Sequence, residues 1–276
     1  MFPIRIEIIP SEGIVAQVQA LVPATTALSV TCLPHHGIER TMRVAVELSD
    51  AGYKVVPHLA ARSIRSRSEL TEIVRSCDAA GIREVFVIGG DRKQAAGEYQ
   101  SALPVLEDIA QYTGGMMRAG VAGYPEGHPA VSPLDLLDGL LAKQHLASHV
   151  VTQMCFSTGK IHDYAALLRR EGVHLPVWAG VAGAVPRTKL VALATQIGVG
   201  SSLRFLSRKG PLARKLLSGD RYSPDALVAG LENPPGSLAG IHLYSFNTLD
   251  AVPNDAAASS PSALQTALIQ GAARDN

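Results

Sequence analysis

The chain alternates between short apolar runs rich in β-branched residues and longer stretches in which apolar residues recur with a helical period. Eight runs predict strands: Arg5–Pro10, Ala27–Leu33, Lys54–Leu59, Glu84–Gly89, Arg118–Gly123, His149–Phe156, Pro176–Val181 and Gly240–Phe246. Strand and helix alternating about every 25–35 residues is typical of βαβ units with parallel strands. The pattern predicts an α/β fold, a single (βα)8 TIM barrel. An open Rossmann-like sheet is the alternative, but no GxGxxG follows the first run.

Helix boundary signals agree with this alternation. Ser68-Glu-Leu-Thr predicts a helix start, and Ala80-Gly81 predicts its end. Ser132-Pro133 predicts another start, because proline is favoured at the first helical position. The sequence LLRREG at 167–172 predicts a helix end with basic residues and a glycine cap.

The last third of the chain departs from the regular spacing. The segment 199–233 is longer than an ordinary connection, which predicts extra helices before the last strand. Residues 1–252 are interpreted as the barrel catalytic domain. Residues 253–276 are interpreted as a C-terminal linker with a candidate last helix over Ser260–Gly271.

Composition narrows the class of protein. With 276 residues, 47% hydrophobic and 18% charged, the chain can bury a sizeable core. A net charge of +1 without a basic block counts against a nucleic-acid partner. Three distant cysteines give neither a disulfide framework nor a metal spacing, and no HExxH is present. Without a signal peptide or a membrane-length apolar run, a cytoplasmic protein with no membrane partner is expected. The sequence does not predict the oligomeric state.

Unusual polar residues fall at the carboxyl ends of the predicted strands, where (βα)8 barrels carry their chemistry. Glu7 lies within an apolar strand, where a buried carboxyl has a raised pKa and can act as a general acid. His58 fits either a site residue or a satisfied core histidine. Asp91 fits a site or a Gly-Gly-Asp turn. Gln153 needs a hydrogen-bond partner, either a ligand in the lumen or neighbouring backbone.

Several of these positions belong to longer motifs. The motifs are PHL at 57–59, Gly90-Asp91, GVAG followed by YPEGHP at 120–129, TQ at 152–153 and HLYSFN at 242–247. In order and spacing, over about residues 5–250, the chain resembles the methylenetetrahydrofolate reductase family. The resemblance implies a (βα)8 barrel that reduces 5,10-methylenetetrahydrofolate to 5-methyltetrahydrofolate with a nicotinamide electron donor.

The resemblance also implies roles for single residues. Glu7 matches the family's proton donor, which opens the imidazolidine ring to give an iminium. Substrate-binding positions correspond to Asp91, Gln153, Phe156, Tyr244 and Arg187. Positions around the cofactor correspond to His58, Gly90, Tyr124 and His128. Candidate cations for the glutamate tail of the folate are Arg187, Arg204 and Lys209.

The chain departs from the family pattern where FAD phosphates are held. The usual basic pair reads Leu141-Ala142, and Asp138 replaces an asparagine. Fewer cations and an added anion oppose binding of a diphosphate, which makes FAD doubtful. The hypothesis is direct hydride transfer from NADH or NADPH. The alternatives are a flavoenzyme that holds FAD through Arg118 or Lys143, and a non-catalytic folate- or pterin-binding barrel.

Overall fold

The computed structural model describes residues 2–186, 190, 221–232 and 238–250. Its strands are β1 (Ile4–Ile8), β2 (Ala27–Val30), β3 (Lys54–Ala60), β4 (Glu84–Ile88), β5 (Arg118–Gly123), β6 (His149–Thr152), β7 (Val177–Ala182) and β8 (Gly240–Tyr244). Each strand pairs in parallel with the next, and β8 pairs with β1. The predicted (βα)8 barrel is therefore confirmed, and the open sheet is excluded.

Helices connect the strands on the outside of the barrel. They are α1 (Ile14–Leu21), α2 (Gly37–Asp50), α3 (Arg67–Ala79), α4 (Ala102–Thr113), α5 (Pro133–Lys143), α6 (Thr158–Arg170) and α7 (Asp225–Leu231). Helix α7 lies in the segment 199–233, for which the sequence predicts extra helices. The rest of 199–233, apart from 221–224 and Glu232, lies outside the described residues, as does the whole of 253–276.

Local hydrogen bonds explain the helix ends. Ser132 accepts a hydrogen bond from the Asp135 amide, as the Ser-Pro signal predicts. Helix α3 starts earlier than predicted, because Ser66 rather than Ser68 caps it by accepting from the Glu69 amide. Gly172 has a φ of 85° just beyond α6, a conformation that favours glycine.

The strand predictions are correct in position but run too long at several carboxyl ends. The largest excess is at β6, which ends at Thr152 although the apolar run continues to Phe156. Met154, Cys155 and Phe156 are buried outside the sheet, so their apolar character reflects packing rather than strand pairing. All three cysteines are buried and free, in agreement with the absence of a disulfide framework.

Apolar packing occurs on both sides of the barrel wall. A large cluster joins the outward strand faces to the helices, and a small cluster of Val56, Phe86 and Val151 lies in the lumen. Gly120 makes room for this interior, since a Cβ there would lie 2.5 Å from Nε2 of His149. None of the described helices is both long enough and apolar enough to cross a membrane.

Candidate active site

Glu7 lies on the inward face of β1, near the carboxyl end of the barrel. Its side chain is 12% exposed, and its Oε2 lies 3.0 Å from Nε2 of His242 and 3.7 Å from Nε2 of His58. Burial raises the pKa of Glu7 to about 7, and attraction to His58 opposes this rise. The carboxyl can therefore hold and release a proton near neutral pH.

The two imidazoles beside Glu7 are buried and neutral. Burial lowers the pKa of His58 to about 4 and that of His242 to about 3. Nε2 of His58 lies 2.7 Å from the hydroxyl oxygen of Ser29 on β2, which gives this ring a second polar partner. Because neither ring carries a charge at neutral pH, neither one neutralises a Glu7 carboxylate in the way a guanidinium would.

The same three side chains have metal-ligand spacing. One ligand atom each from Glu7, His58 and His242 lies within 4.8 Å of the others. Both Nε2 atoms already have hydrogen-bond partners, Ser29 for His58 and Glu7 for His242. Hydrogen bonding thus accounts for the arrangement, and the sequence-based expectation of no metal remains a prediction.

Tyr244 and Gln153 extend this group towards β6. The Tyr244 hydroxyl donates to the Thr152 carbonyl at 3.1 Å, and the Tyr244 ring centroid lies 5.0 Å from that of His242. The backbone N–H of Gln153 donates to the Gly123 carbonyl at 2.7 Å, while its side-chain Oε1 accepts from the backbone N–H of Met154 at 2.9 Å. The sequence allowed either a ligand or neighbouring backbone as the partner of the Gln153 side chain. The structure shows a backbone partner.

Asp91 lies on the exposed loop after β4, at the carboxyl rim of the barrel. The loop turns at Gly90, which has a φ of 87° and packs so closely that a Cβ would lie 3.0 Å from Cβ of Ala60. The Arg62 guanidinium holds the loop by donating to the Arg92 carbonyl at 2.6 Å and the Lys93 carbonyl at 2.5 Å. The rim loop is therefore anchored to the segment that follows β3.

The YPEGHP loop after β5 lies near Asp91. Burial and then the Asp91 carboxylate raise the pKa of Tyr124, so the two groups lie close enough to interact electrostatically. The rings of Tyr124 and His128 meet edge to face, with centroids 5.1 Å apart. Glu126 pairs with Lys160 at 2.5 Å, so this loop is tied to α6.

Not every sequence-predicted residue joins this group. Phe156 is 1% exposed and packs with Tyr222, their ring centroids 5.7 Å apart, in an apolar cluster that reaches the site through Tyr244. Arg187, Arg204 and Lys209 lie outside the described residues. Arg118 opens β5 at the amino end of the barrel and pairs with Glu84 at 3.4 Å, far from the rim where FAD phosphates were considered.

A second polar group lies lower in the lumen. The Arg5 guanidinium pairs with Glu84, lies 3.3 Å from Nε2 of His149, and lies 4.9 Å from the centre of a Trp178 ring. Arg5 precedes Glu7 by two residues, so both point inward from the same strand. The lumen thus contains an upper layer around Glu7 and a lower layer around Arg5.

Sequence reasoning missed most of the polar contacts in both layers. It placed His242 in the HLYSFN motif without pairing it to Glu7, and it did not consider Ser29, Arg5 or Glu84 as lumen residues. The alternation of Arg5 with Glu7 and of His242 with Tyr244 was the available signal, because residues two apart share a strand face.

The fold and these side chains define a (βα)8 barrel with a titratable acid buried beneath its carboxyl rim. The family model for methylenetetrahydrofolate reductase matches residues 13–197, more than half of the chain. The chain belongs to the methylenetetrahydrofolate reductase family, as its motifs indicated. Methylenetetrahydrofolate reductase 2 of Saccharomyces cerevisiae is 23% identical over 217 residues, covering 74% of this chain and 36% of the relative. The chain therefore spans about a third of that relative's length.

Solved structures with a similar fold are more distant. A protein of Burkholderia cenocepacia assigned as a phosphonomutase is 11% identical with a TM-score of 0.48, over 98% of this chain and 91% of its own. A muconate cycloisomerase of Azorhizobium caulinodans is 13% identical with a TM-score of 0.45, over 88% of this chain and 54% of its own. Their similarity adds nothing to the functional assignment.

Proposed function

We propose that this protein reduces 5,10-methylenetetrahydrofolate to 5-methyltetrahydrofolate with hydride taken directly from NADH or NADPH, without a bound flavin. The observation that carries the proposal is Glu7, a nearly buried carboxyl that contacts two neutral imidazoles and has a pKa of about 7. Ring opening of the substrate needs a proton donor that is still protonated near neutral pH. Membership in the family supplies the class of substrate.

In this proposal Glu7 donates its proton to a ring nitrogen of the substrate as the carbon–nitrogen bond breaks. The product of that step is an iminium, and the nicotinamide supplies the two electrons of a hydride that reduce it. Asp91 pairs with the donor groups of the pterin, and the Gln153 amide pairs with a donor and an acceptor. Tyr124 and His128 border the nicotinamide. Glu7 then recovers its proton from solvent at the rim.

The composition of α5 supports the absence of FAD. This helix carries the carboxylates Asp135 and Asp138, and its only cation is Lys143 in its last turn. Leu141 and Ala142 occupy the positions of the family's basic pair. A diphosphate would face more negative than positive charge here, so these residues do not fit the FAD phosphates.

A spectrum and an assay test the proposal together. We expect the purified protein to show no flavin absorbance and to oxidise NADH or NADPH when methylenetetrahydrofolate is added. A stoichiometric flavin band with turnover would favour the flavoenzyme. Folate binding without oxidation of either nicotinamide would favour the non-catalytic barrel.

A further inference from the structure

We propose that His242 is the positioning residue for Glu7: the neutral imidazole donates to the carboxyl, orients it, and leaves the transferable proton on Glu7. This inference rests on the proposed function, in which Glu7 is the acid. The side chain of His242 is 1% exposed on β8, and its Nε2 lies 3.0 Å from Oε2 of Glu7. The ring is therefore shielded from solvent and acts on Glu7 by direct contact.

The second ring nitrogen indicates which tautomer is present. Nδ1 of His242 is buried and has no hydrogen-bond partner among the described residues. A hydrogen on Nδ1 would be an unsatisfied buried donor, and such donors are rarer than under-satisfied acceptors. The hydrogen therefore belongs on Nε2, where it is donated to Glu7. Such a bond stabilises the carboxylate and limits how far burial raises the pKa of Glu7.

Burial, together with the charge of Arg5, explains why His242 does not take the proton itself. Arg5 and His242 are register partners on the paired strands β1 and β8. Burial first, and then the Arg5 charge, lower the pKa of His242. A second positive charge on the imidazole would lie beside a buried guanidinium. The lower layer thereby keeps the His242 ring neutral, and Glu7 remains the group that carries the proton.

Other titratable groups lie around this pair. They are His58 on β3, His149 on β6, Tyr244 on β8, Tyr124 just after β5, and the Glu84–Arg118 ion pair of the lower layer. Arg118 and Glu84 pair with each other, and burial lowers the pKa of His149 to about 4. Between pH 6 and 8 we therefore assign the titration of the upper layer to Glu7.

Two substitutions at His242 separate positioning from packing. H242Q keeps an N–H donor near the position of Nε2, whereas H242L keeps the bulk and removes the donor. Infrared difference spectra, with E7Q as the blank, report the protonated carboxyl band of Glu7. We expect this band to reach half of its full intensity near pH 7 in the parent and in H242Q. In H242L we expect this midpoint about one pH unit higher, because the Glu7 carboxylate loses a hydrogen bond that stabilises it.

The infrared midpoint does not depend on turnover, so it also decides the proposal if the reductase assignment fails. In an active enzyme, the descending limb of the kcat–pH profile should shift upward by the same amount in H242L and return in H242Q. If H242L were slower but its infrared midpoint were unchanged, His242 would contribute only packing, and the proposal would be overturned. Stoichiometric zinc in the purified protein would also overturn it, because Nε2 would then be a ligand.

Discussion

The two polar layers of the lumen share strand β1 but differ in the charge of the groups around their carboxyls. In the lower layer, Glu84 contacts the Arg5 guanidinium and lies 3.4 Å from that of Arg118. In the upper layer, Glu7 contacts the neutral imidazoles of His242 and His58. Both carboxyls are largely buried, at 15% and 12% exposure, so burial alone does not distinguish them.

The difference lies in the charge of the partners. Guanidinium groups balance the negative charge of a carboxylate that faces them. Removal of such a group leaves a buried negative charge without a counter-ion. A carboxyl that faces buried imidazoles gains less compensation than burial costs it, so its protonated form is favoured. The lower layer therefore serves stability, and the upper layer can store a transferable proton.

Turnover should depend most strongly on the carboxyl of Glu7. Glu7→Gln removes the acid but keeps nearly the same shape, so we expect kcat to fall by roughly 10²–10⁴-fold, as for loss of a general acid. Steady-state assays with methylenetetrahydrofolate and the preferred nicotinamide measure this loss. Near-ultraviolet circular dichroism is the control for an intact fold. An unchanged rate would show that Glu7 takes no part in the mechanism. The two layers would then no longer differ in catalytic role.

The matching change in the lower layer should act on stability. Arg5→Met leaves Glu84 without its closest cation, and we expect the free energy of unfolding to fall by about 3–5 kcal/mol. The double variant R5M/E84L replaces both charges with apolar groups and should recover much of that loss. Urea denaturation followed by fluorescence measures both. If both variants lost the same free energy of unfolding, Arg5 would stabilise the fold through packing rather than by balancing the charge of Glu84.

The raised pKa of Glu7 predicts a stability cost that depends on pH. Its folded pKa of about 7 exceeds the ordinary value of 4.5, so the folded state binds the proton more tightly than the unfolded state. The stabilisation from protonated Glu7 is complete below pH 4.5 and is lost as the pH rises through about 7. We therefore expect E7Q to be more stable than the parent at pH 8, by about 3 kcal/mol at most.

Urea midpoints of the parent and E7Q at pH 4.5 and pH 8 measure this effect. The two proteins should be close at pH 4.5 and should diverge at pH 8. E84Q serves as the matched control in the lower layer, where loss of a compensated carboxylate should destabilise the fold at pH 8. If the parent were more stable than E7Q at pH 8, the negative charge of the buried Glu7 carboxylate would be compensated by its surroundings.

Much of the fold could be predicted because its signals are local. Apolar runs locate all eight strands, and Ser132-Pro133 locates a helix start through contacts within one turn. Strand ends were less accurate, because buried residues such as Phe156 are apolar for reasons unrelated to the sheet.

The candidate site was only partly predictable, because its contacts join distant parts of the chain. Glu7 could be singled out as a carboxyl in an apolar strand. Its partner His242 lies 235 positions away, and the pairing depends on the closure of β8 onto β1. The burial of Arg5 could not be predicted either, because a basic residue near the start of a strand is usually exposed to solvent.

Tyr244 links the upper layer to β6, and loss of its hydroxyl should change stability only slightly. Burial first, and then Glu7 and Tyr124, raise the pKa of Tyr244, so its hydroxyl stays a donor to the Thr152 carbonyl. Tyr244→Phe keeps the ring and loses this bond, so we expect the free energy of unfolding to fall by about 0.5–1.5 kcal/mol. The kcat should change little, because this hydroxyl points to backbone rather than to Glu7. Tyr244→Ala, which also removes the ring, should raise the KM for the folate if the ring borders the pterin. A large loss of kcat in Y244F would instead make Tyr244 a second proton carrier, and the upper layer would then hold two acids.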